Sequence, residues 1–184
     1  AFGGSASPEQ CRRVEVYLND NEAQARGPNL MDYELAKSTG QIQRFNPIPA
    51  YYDHLRKLID FDVIAENPQR IVIDSMYGSG RGVIRGILQG TGCEVAEVRG
   101  EMNPGFGGVH PEPIARYLGT LAGAISTGAG HFGIATDGDA DRTGAMDERG
   151  NFVDPHKIMA LALRYLVEKR GLTGSVVRTV STTR

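Results

Sequence analysis

From Pro47 onward, segments with apolar residues at helical spacing alternate with short runs of β-branched and other apolar residues. The spacing predicts helices within residues 51–59, 83–88, 114–125 and 155–171, and the apolar runs predict strands at 71–73, 95–98 and 132–136. Helices that alternate with buried strands are typical of a largely parallel sheet covered on both faces. We therefore predict an α/β fold of three layers, in which a mostly parallel sheet lies between helices.

The segments outside this alternation carry weaker local signals. The apolar run Val14–Leu18 predicts a short strand, Leu30–Lys37 a helix, and Val176–Val180 one more strand near the end of the sequence. The prolines and glycines of Met102–Pro113 exclude a helix or a central strand there and predict a long ordered loop. Thr143–Val153 reads as a hairpin that turns at residues 148–151.

Composition narrows the classes of partner and location. With 184 residues, 40% hydrophobic and 23% charged, the chain can bury a core. Its 20 basic and 22 acidic residues give a formal charge of -2, so we expect no binding to nucleic acid or to a membrane surface. Cys11 and Cys93 are far apart and lack metal-ligand spacing, which fits a reducing compartment. No run reaches the length of a membrane span, so we expect a cytoplasmic protein.

Three aspartates occupy every second position directly after the predicted strand 132–136. In an extended segment, Asp137, Asp139 and Asp141 would project to one side, and three converging carboxylates repel one another unless a cation lies among them. Oxygen ligands without His or Cys favour magnesium, calcium or manganese. The carboxyl ends of parallel strands are also where ligands bind in such sheets. These residues are therefore candidate ligands of a divalent cation, and we expect Mg²⁺.

The same aspartates also fit other kinds of site. The spacing approaches that of an EF-hand calcium loop, but Arg142 stands where that loop needs glycine, and the flanks are not helical. An Asp-x-Asp pair after an apolar strand also occurs in phosphatases in which the first aspartate attacks phosphorus, which would make Asp137 a nucleophile. A non-catalytic metal-binding domain is the third alternative.

The sequence resembles the α-D-phosphohexomutases, the family of phosphoglucomutase and phosphomannomutase. The resemblance rests on four segments in the family's order: Val72–Gly80, Phe106–Pro113, Thr136–Arg142 and Val177–Thr183. The aspartate segment is highly specific in this setting, whereas the glycine- and proline-rich segments only support it. Family members have four domains. The resemblance implies that residues 1–45 are a remnant of the first domain, 46–173 the second, and 174–184 the opening strand of a truncated third.

The resemblance also implies a reaction. In this family a phosphoserine hands its phosphoryl group to a hexose monophosphate, and the bisphosphate then returns the other phosphoryl group, which interconverts hexose 1-phosphate and hexose 6-phosphate. Glucose and mannose phosphates are the implied substrates. Asp137, Asp139 and Asp141 would be the Mg²⁺ ligands. The guanidinium of Arg142, next to them, suits a phosphate oxygen of the substrate or the orientation of a ligand carboxylate, and a structural salt bridge is the alternative role. Charge neutralisation and alignment by a metal are what phosphoryl transfer needs most.

The implied nucleophile is Ser7. The family loop reads Ser/Thr-Ala-Ser-His-Asn-Pro, and this chain has Ser5-Ala6-Ser7-Pro8-Glu9, in which the His-Asn pair is absent. The family's sugar-recognition loop and phosphate pocket belong to its third and fourth domains. We therefore expect the rest of a parent polypeptide to be the main partner of this chain, and the chain alone to bind magnesium weakly and to convert no hexose phosphate.

Overall fold

A computed structural model describes residues 4–179 of the chain. The chain forms two compact units, Ala1–Asn46 and Pro47–Arg184. The first unit contains helix α1 (Pro8–Ala23) and helix α2 (Tyr33–Ser38). Among residues 4–46, Ala36 is the single buried residue. This unit therefore has almost no core of its own.

The second unit is built around a five-stranded mixed sheet of order β2-β1-β3-β4-β5. Strand β1 pairs in parallel with β2 and with β3, whereas the β3–β4 and β4–β5 pairs are antiparallel. Its elements in chain order are α3 (Ile48–Leu58), α4 (Phe61–Glu66), β1 (Arg70–Asp74), α5 (Val83–Ile87), β2 (Glu94–Val98), α6 (Gly119–Ser126), β3 (Phe132–Thr136), β4 (Thr143–Met146), β5 (Phe152–Val153) and α7 (Pro155–Glu168), with single 3-10 turns at Phe106–Gly108 and Ala115–Tyr117.

Helices cover both faces of this sheet. Gly133 lies opposite Val72 in the β1–β3 register, and a Cβ atom at Gly133 would lie 2.7 Å from a methyl carbon of Leu121, so α6 packs on that face. Ile73 and its register partner Glu97 point to the other face. Glu97 contacts the amide of Gly82, at the start of α5, and the side chain of Arg85 in α5, so α5 lies on this face. The predicted α/β fold with a sheet between helices is thus confirmed. The sheet is mixed and not mostly parallel, because the β3–β4 and β4–β5 pairs are joined by short turns that only antiparallel strands allow.

The main hydrophobic core lies under α6. Its buried members are Val72, Met76, Leu118, Leu121, Ile125, Ala135 and Met146. They come from β1, β3, β4, α6 and the residues that flank these elements, so the core joins the parallel and antiparallel halves of the sheet. The predicted strands 71–73, 95–98 and 132–136 and the hairpin of β4 and β5 all form.

The strand predicted at Val14–Leu18 is wrong, because these residues lie within α1. The helix begins with a capping box: the Ser7 hydroxyl accepts a hydrogen bond from the Gln10 amide, and the Gln10 side chain accepts one from the Ser7 amide. Pro8 occupies the first turn, where its fixed backbone angle suits a helix. These signals at the helix start outweigh the strand preference of two valines.

The strand predicted at Val176–Val180 does not form in the described residues. Val176–Thr179 has no strand structure, and residues 180–184 lie outside the described part. A strand is stable only as part of a hydrogen-bonded ladder. Val177 is 93% exposed, and no described strand pairs with this segment.

Candidate metal centre

The aspartates lie in a tight loop, residues 137–142, which we call the aspartate loop; it connects β3 to β4 at the carboxyl end of β3. The Asp137 amide donates to the Arg142 carbonyl (3.3 Å), and the Ala140 amide donates to the Asp137 carbonyl (3.2 Å). Ala140 adopts a left-handed backbone with φ of 64°. The acids therefore converge through this closed loop and not, as the sequence pattern suggested, by alternation along an extended strand.

The loop brings one oxygen of each aspartate close to those of the others. These oxygens of Asp137, Asp139 and Asp141 all lie within 4.8 Å of one another. Asp137 is fully buried, while Asp139 and Asp141 are exposed. One carboxylate of the cluster is thus buried, and the other two are open to solvent.

The charges of the cluster act on one another. The negative charge of Asp139, followed by desolvation and the charge of Asp137, raises the pKa of Asp141 above its usual value. Burial alone would raise the pKa of Asp137, but hydrogen bonds from the amide and the side chain of Arg142 outweigh it and lower that pKa. Asp137 therefore stays ionised, and the repulsion within the cluster falls on its exposed members.

The three side chains fit a hard divalent cation. The donor set consists of carboxylate oxygens, which Mg²⁺, Ca²⁺ and Mn²⁺ prefer. Neighbouring oxygen ligands of octahedral Mg²⁺ are about 3 Å apart. The three aspartate oxygens, which lie within 4.8 Å of one another, would therefore move closer together around the ion. Asp139 and Asp141 are exposed, so their side chains are open to a cation from solvent, and a cation would remove the repulsion that raises the pKa of Asp141.

Arg142 lies against the buried end of this cluster. Its amide donates to Oδ1 of Asp137 (3.0 Å), and its Nε donates to Oδ2 of the same carboxylate (2.7 Å). Its Nη1 donates to Oε1 of Glu112 (2.8 Å). The hydrogen bond to Glu112, followed by that to Asp137, raises the pKa of the Arg142 guanidinium. Its Nη2 has no acceptor among residues 4–179 and could meet an anion, so Arg142 remains a predicted substrate ligand.

Glu112 is a residue that sequence reasoning missed. It lies in the predicted loop Met102–Pro113, whose Pro111 carbonyl also accepts a hydrogen bond from the Gly138 amide (3.2 Å). This loop therefore supports both the aspartate loop and the Arg142 side chain. Glu112 and Arg142 are 30 positions apart, and no local pattern joins them.

A second loop, residues 75–82 between β1 and α5, packs against the aspartate loop; we call it the support loop. The Ser79 amide donates to the Gly138 carbonyl (2.9 Å). A Cβ atom at Gly78 would lie 2.6 Å from the Asp137 carbonyl oxygen, so this close approach requires glycine. The glycines of this segment thus serve backbone packing beside the cluster.

A hollow of about 350 Å³ opens beside Asp141 and Arg142. Pro113, Ile114, Ile158 and Met159 form most of its wall, which is largely apolar. Asp141, Arg142 and Thr143 are the polar side chains of its lining.

Ser7, the predicted nucleophile, belongs to the first unit and is the N-cap residue of α1. Its side chain is exposed, and its hydroxyl oxygen accepts the Gln10 amide at 3.3 Å. The structure brings Asp137, Asp139, Asp141 and Arg142 together within the second unit, whereas Ser7 is not among the residues of that unit.

Known proteins are similar to this chain over a region that includes the aspartate loop. The family model described as phosphoglucomutase/phosphomannomutase, alpha/beta/alpha domain II, matches residues 49–150. The phosphoglucosamine mutase of Methanocaldococcus jannaschii is 33% identical over 73% of this chain and 30% of its own length. The phosphopentomutase of Thermococcus kodakarensis is 33% identical over 77% of this chain and 31% of its own length.

A solved structure agrees with these relatives. The crystal structure of a Thermus thermophilus protein assigned as a phosphomannomutase superimposes with a TM-score of 0.63 at 33% identity, over 68% of this chain and 30% of that one. Within residues 4–179, no helix is both long and apolar enough to cross a membrane.

Fold and cluster together define an α/β domain with a carboxylate site suited to a divalent cation. The chain belongs to the phosphoglucomutase/phosphomannomutase family, in the region of its second domain. It spans about a third of the length of the curated relatives it matches.

Proposed function

We propose that this chain supplies the cation-binding domain of an enzyme that transfers a phosphoryl group between two hydroxyl groups of a sugar phosphate by way of a phosphoserine. The observation that carries the proposal is the convergence of Asp137, Asp139 and Asp141 at the carboxyl end of β3, in a chain of this family. Hexose 1-phosphate and hexose 6-phosphate are the proposed substrate pair, with glucose or mannose as the sugar. Relatives named for glucosamine and pentose phosphates widen the class to sugar phosphates.

In this proposal each residue has a separate role. Asp137, Asp139 and Asp141 would hold Mg²⁺, which when bound supplies neutralisation of phosphoryl charge. Arg142 would bind a phosphate oxygen through the guanidinium nitrogen that Asp137 and Glu112 leave available. Glu112 would keep that guanidinium oriented, since it holds the nitrogen next to it. Ser7 would carry the phosphoryl group, and further domains of a longer polypeptide would bind the sugar.

Replacement of Asp139 tests the cation site. Asp139→Asn keeps the shape of the side chain but removes one of three charges, so we expect the dissociation constant for Mg²⁺ to rise about tenfold or more, in line with the strong dependence of such sites on ligand charge. Calorimetric titration of the 184-residue chain with Mg²⁺ and then Ca²⁺ measures this change.

Glu148→Gln is the matched control, because it removes one exposed charge from the turn between β4 and β5, outside the cluster. Its Mg²⁺ affinity should equal that of the unchanged chain. Equal affinities of the Asp139→Asn variant and the unchanged chain would exclude the aspartate loop as the cation site.

The runner-up function is a phosphotransferase in which Asp137 itself is phosphorylated. Asp137 is buried and both of its oxygens accept hydrogen bonds from Arg142, which weighs against this function because such hydrogen bonds make a carboxylate a poorer nucleophile. A non-catalytic cation-binding domain is the other alternative, and it predicts no phosphorylated residue under any condition.

Labelling with a radioactive sugar bisphosphate separates the three functions. We expect acid-stable label, which is the behaviour of phosphoserine, and no conversion of glucose 1-phosphate by the chain alone. Label that is lost in acid or to hydroxylamine would identify an aspartyl phosphate and contradict the proposal. Ser7→Asn is the informative variant, because asparagine keeps the N-cap of α1 while removing the hydroxyl. It should abolish the acid-stable label.

A further inference from the structure

The support loop contributes no ligand to the cluster, yet it contacts the backbone on which two ligands depend. The carbonyl that Ser79 binds belongs to Gly138, between Asp137 and Asp139. Gly78 lies against the carbonyl oxygens of Asp137 and Gly138. A displacement of the support loop would therefore move the peptide units that set the spacing of these aspartates.

The support loop is in turn held by Glu97 of β2. Oε1 of Glu97 accepts the Ser75 hydroxyl at 2.6 Å and the Gly82 amide at 2.7 Å, so a single oxygen joins the first and last residues of the loop. Oε2 lies 3.6 Å from Nη2 of Arg85, and the Glu97 side chain is only 4% exposed. A buried carboxylate with two short hydrogen bonds fixes its partners more firmly than a neutral group would.

We infer that Glu97 is a positioning residue for the cation site. It closes the support loop at both ends, and the loop then holds the Asp137–Gly138 backbone through Ser79 and Gly78. The inference rests on the proposed cation site. Groups that hold metal ligands in place affect affinity without touching the metal, and their loss weakens binding by about 10–100-fold.

Glu97 can be tested separately from Asp74, another buried carboxylate that contacts this loop. The carboxylate of Asp74 also accepts an amide of the loop, that of Met76, but it lies in the core and is paired with Arg99. The hydrogen bonds of Glu97 go to Ser75 and Gly82, both in the loop. A change at Glu97 should therefore loosen the loop before it disturbs the core.

The test compares Mn²⁺ binding by Glu97→Ala, Glu97→Gln and the unchanged 184-residue chain, followed by electron paramagnetic resonance. We expect the dissociation constant to rise about tenfold in Glu97→Ala. The rise should be smaller in Glu97→Gln, whose amide oxygen still accepts from Ser75 and Gly82. Amide exchange at Ser79 should accelerate in the same order, which a general loss of stability would not confine to this loop.

Two control variants accompany these measurements. Arg85→Met removes only the exposed ion-pair partner of Glu97 and should leave Mn²⁺ affinity unchanged. Ile125→Val weakens the core under α6 and should lower the unfolding midpoint without changing Mn²⁺ affinity.

If Glu97→Gln and Glu97→Ala fold and bind Mn²⁺ with unchanged affinity, the inference is overturned and the proposed function is not. An equal loss of affinity in Ile125→Val would also overturn it, because the effect would then follow stability. An unchanged chain that binds no Mn²⁺ would overturn the proposed function together with the inference.

Discussion

Replacement of Arg99 by methionine is expected to lower the free energy of unfolding by about 3–5 kcal/mol. Arg99 and Asp74 are both buried, and the guanidinium meets the carboxylate through two nitrogens, with Nε at 2.8 Å from Oδ1. Nη2 also donates to the Tyr117 carbonyl (3.0 Å). Methionine fills similar volume but leaves Asp74 as an unpaired charge in the core, which is the costly part of the change.

Urea unfolding of the variant and the unchanged chain measures this loss. The double variant Asp74→Met with Arg99→Met is the control, since it removes both charges and should recover much of the stability of the single variant. It will not recover all of it, because the Met76 amide also depends on Asp74 (3.0 Å). A single variant within about 1 kcal/mol of the unchanged chain would show that the pair is not a core ion pair in solution.

Leu121→Ala is expected to cost about 2–5 kcal/mol, the range for large-to-small changes at fully buried sites. Leu121 is fully buried on α6 and belongs to the core cluster with Val72 and Ala135. Its side chain packs over Gly133 of β3, where a Cβ atom would lie 2.7 Å from Cδ1 of Leu121. The alanine leaves a cavity between the helix and the sheet.

The same contact predicts that positions 121 and 133 are coupled. Gly133→Ala alone should destabilise by about 1–3 kcal/mol through overpacking, because its methyl group meets the Leu121 side chain. In the double variant that methyl group enters space which Leu121→Ala has vacated. We expect the double variant to lose less than the sum of the single losses, by about 0.5–3 kcal/mol, measured by urea unfolding. Strict additivity would contradict the packing of Leu121 on Gly133.

Periodic segments of this fold could be read directly from the sequence. The strands 71–73, 95–98 and 132–136 were readable because β-branched and apolar residues form short runs between glycine-rich turns. The strand prediction at Val14–Leu18 is wrong because two valines are a weaker signal than the capping box at Ser7 and Gln10, which is also present in the sequence. At Val176 the same residue types form no strand, since strand formation depends on a partner that a local pattern cannot reveal.

The candidate site also contains residues that the sequence predicts and residues that it does not. The aspartates could be predicted because all three lie within one short motif, and its position after a strand placed them at the sheet edge. The residues that hold the aspartates and Arg142 in place could not be predicted. Glu112 reaches Arg142 across 30 positions, and Glu97 reaches Ser75 across 22, so each contact exists only once the chain has folded. Arg99 and Asp74 form the buried ion pair for the same reason, across 25 positions.

The order of the sheet, with β2 at one edge and β5 at the other, bears on how the domain avoids aggregation. An exposed edge strand offers unpaired amides and carbonyls to another chain, and proteins protect such edges with short strands and charged side chains. Here β5 is only two residues long. Strand β2 carries the exposed Glu94 and the inward-pointing Glu97. A strand added beside β2 would approach the Glu94 carboxylate, whose side chain is 79% exposed, whereas the Glu97 carboxylate is buried. The charge of Glu94 at one edge and the shortness of β5 at the other therefore disfavour intermolecular strand pairing.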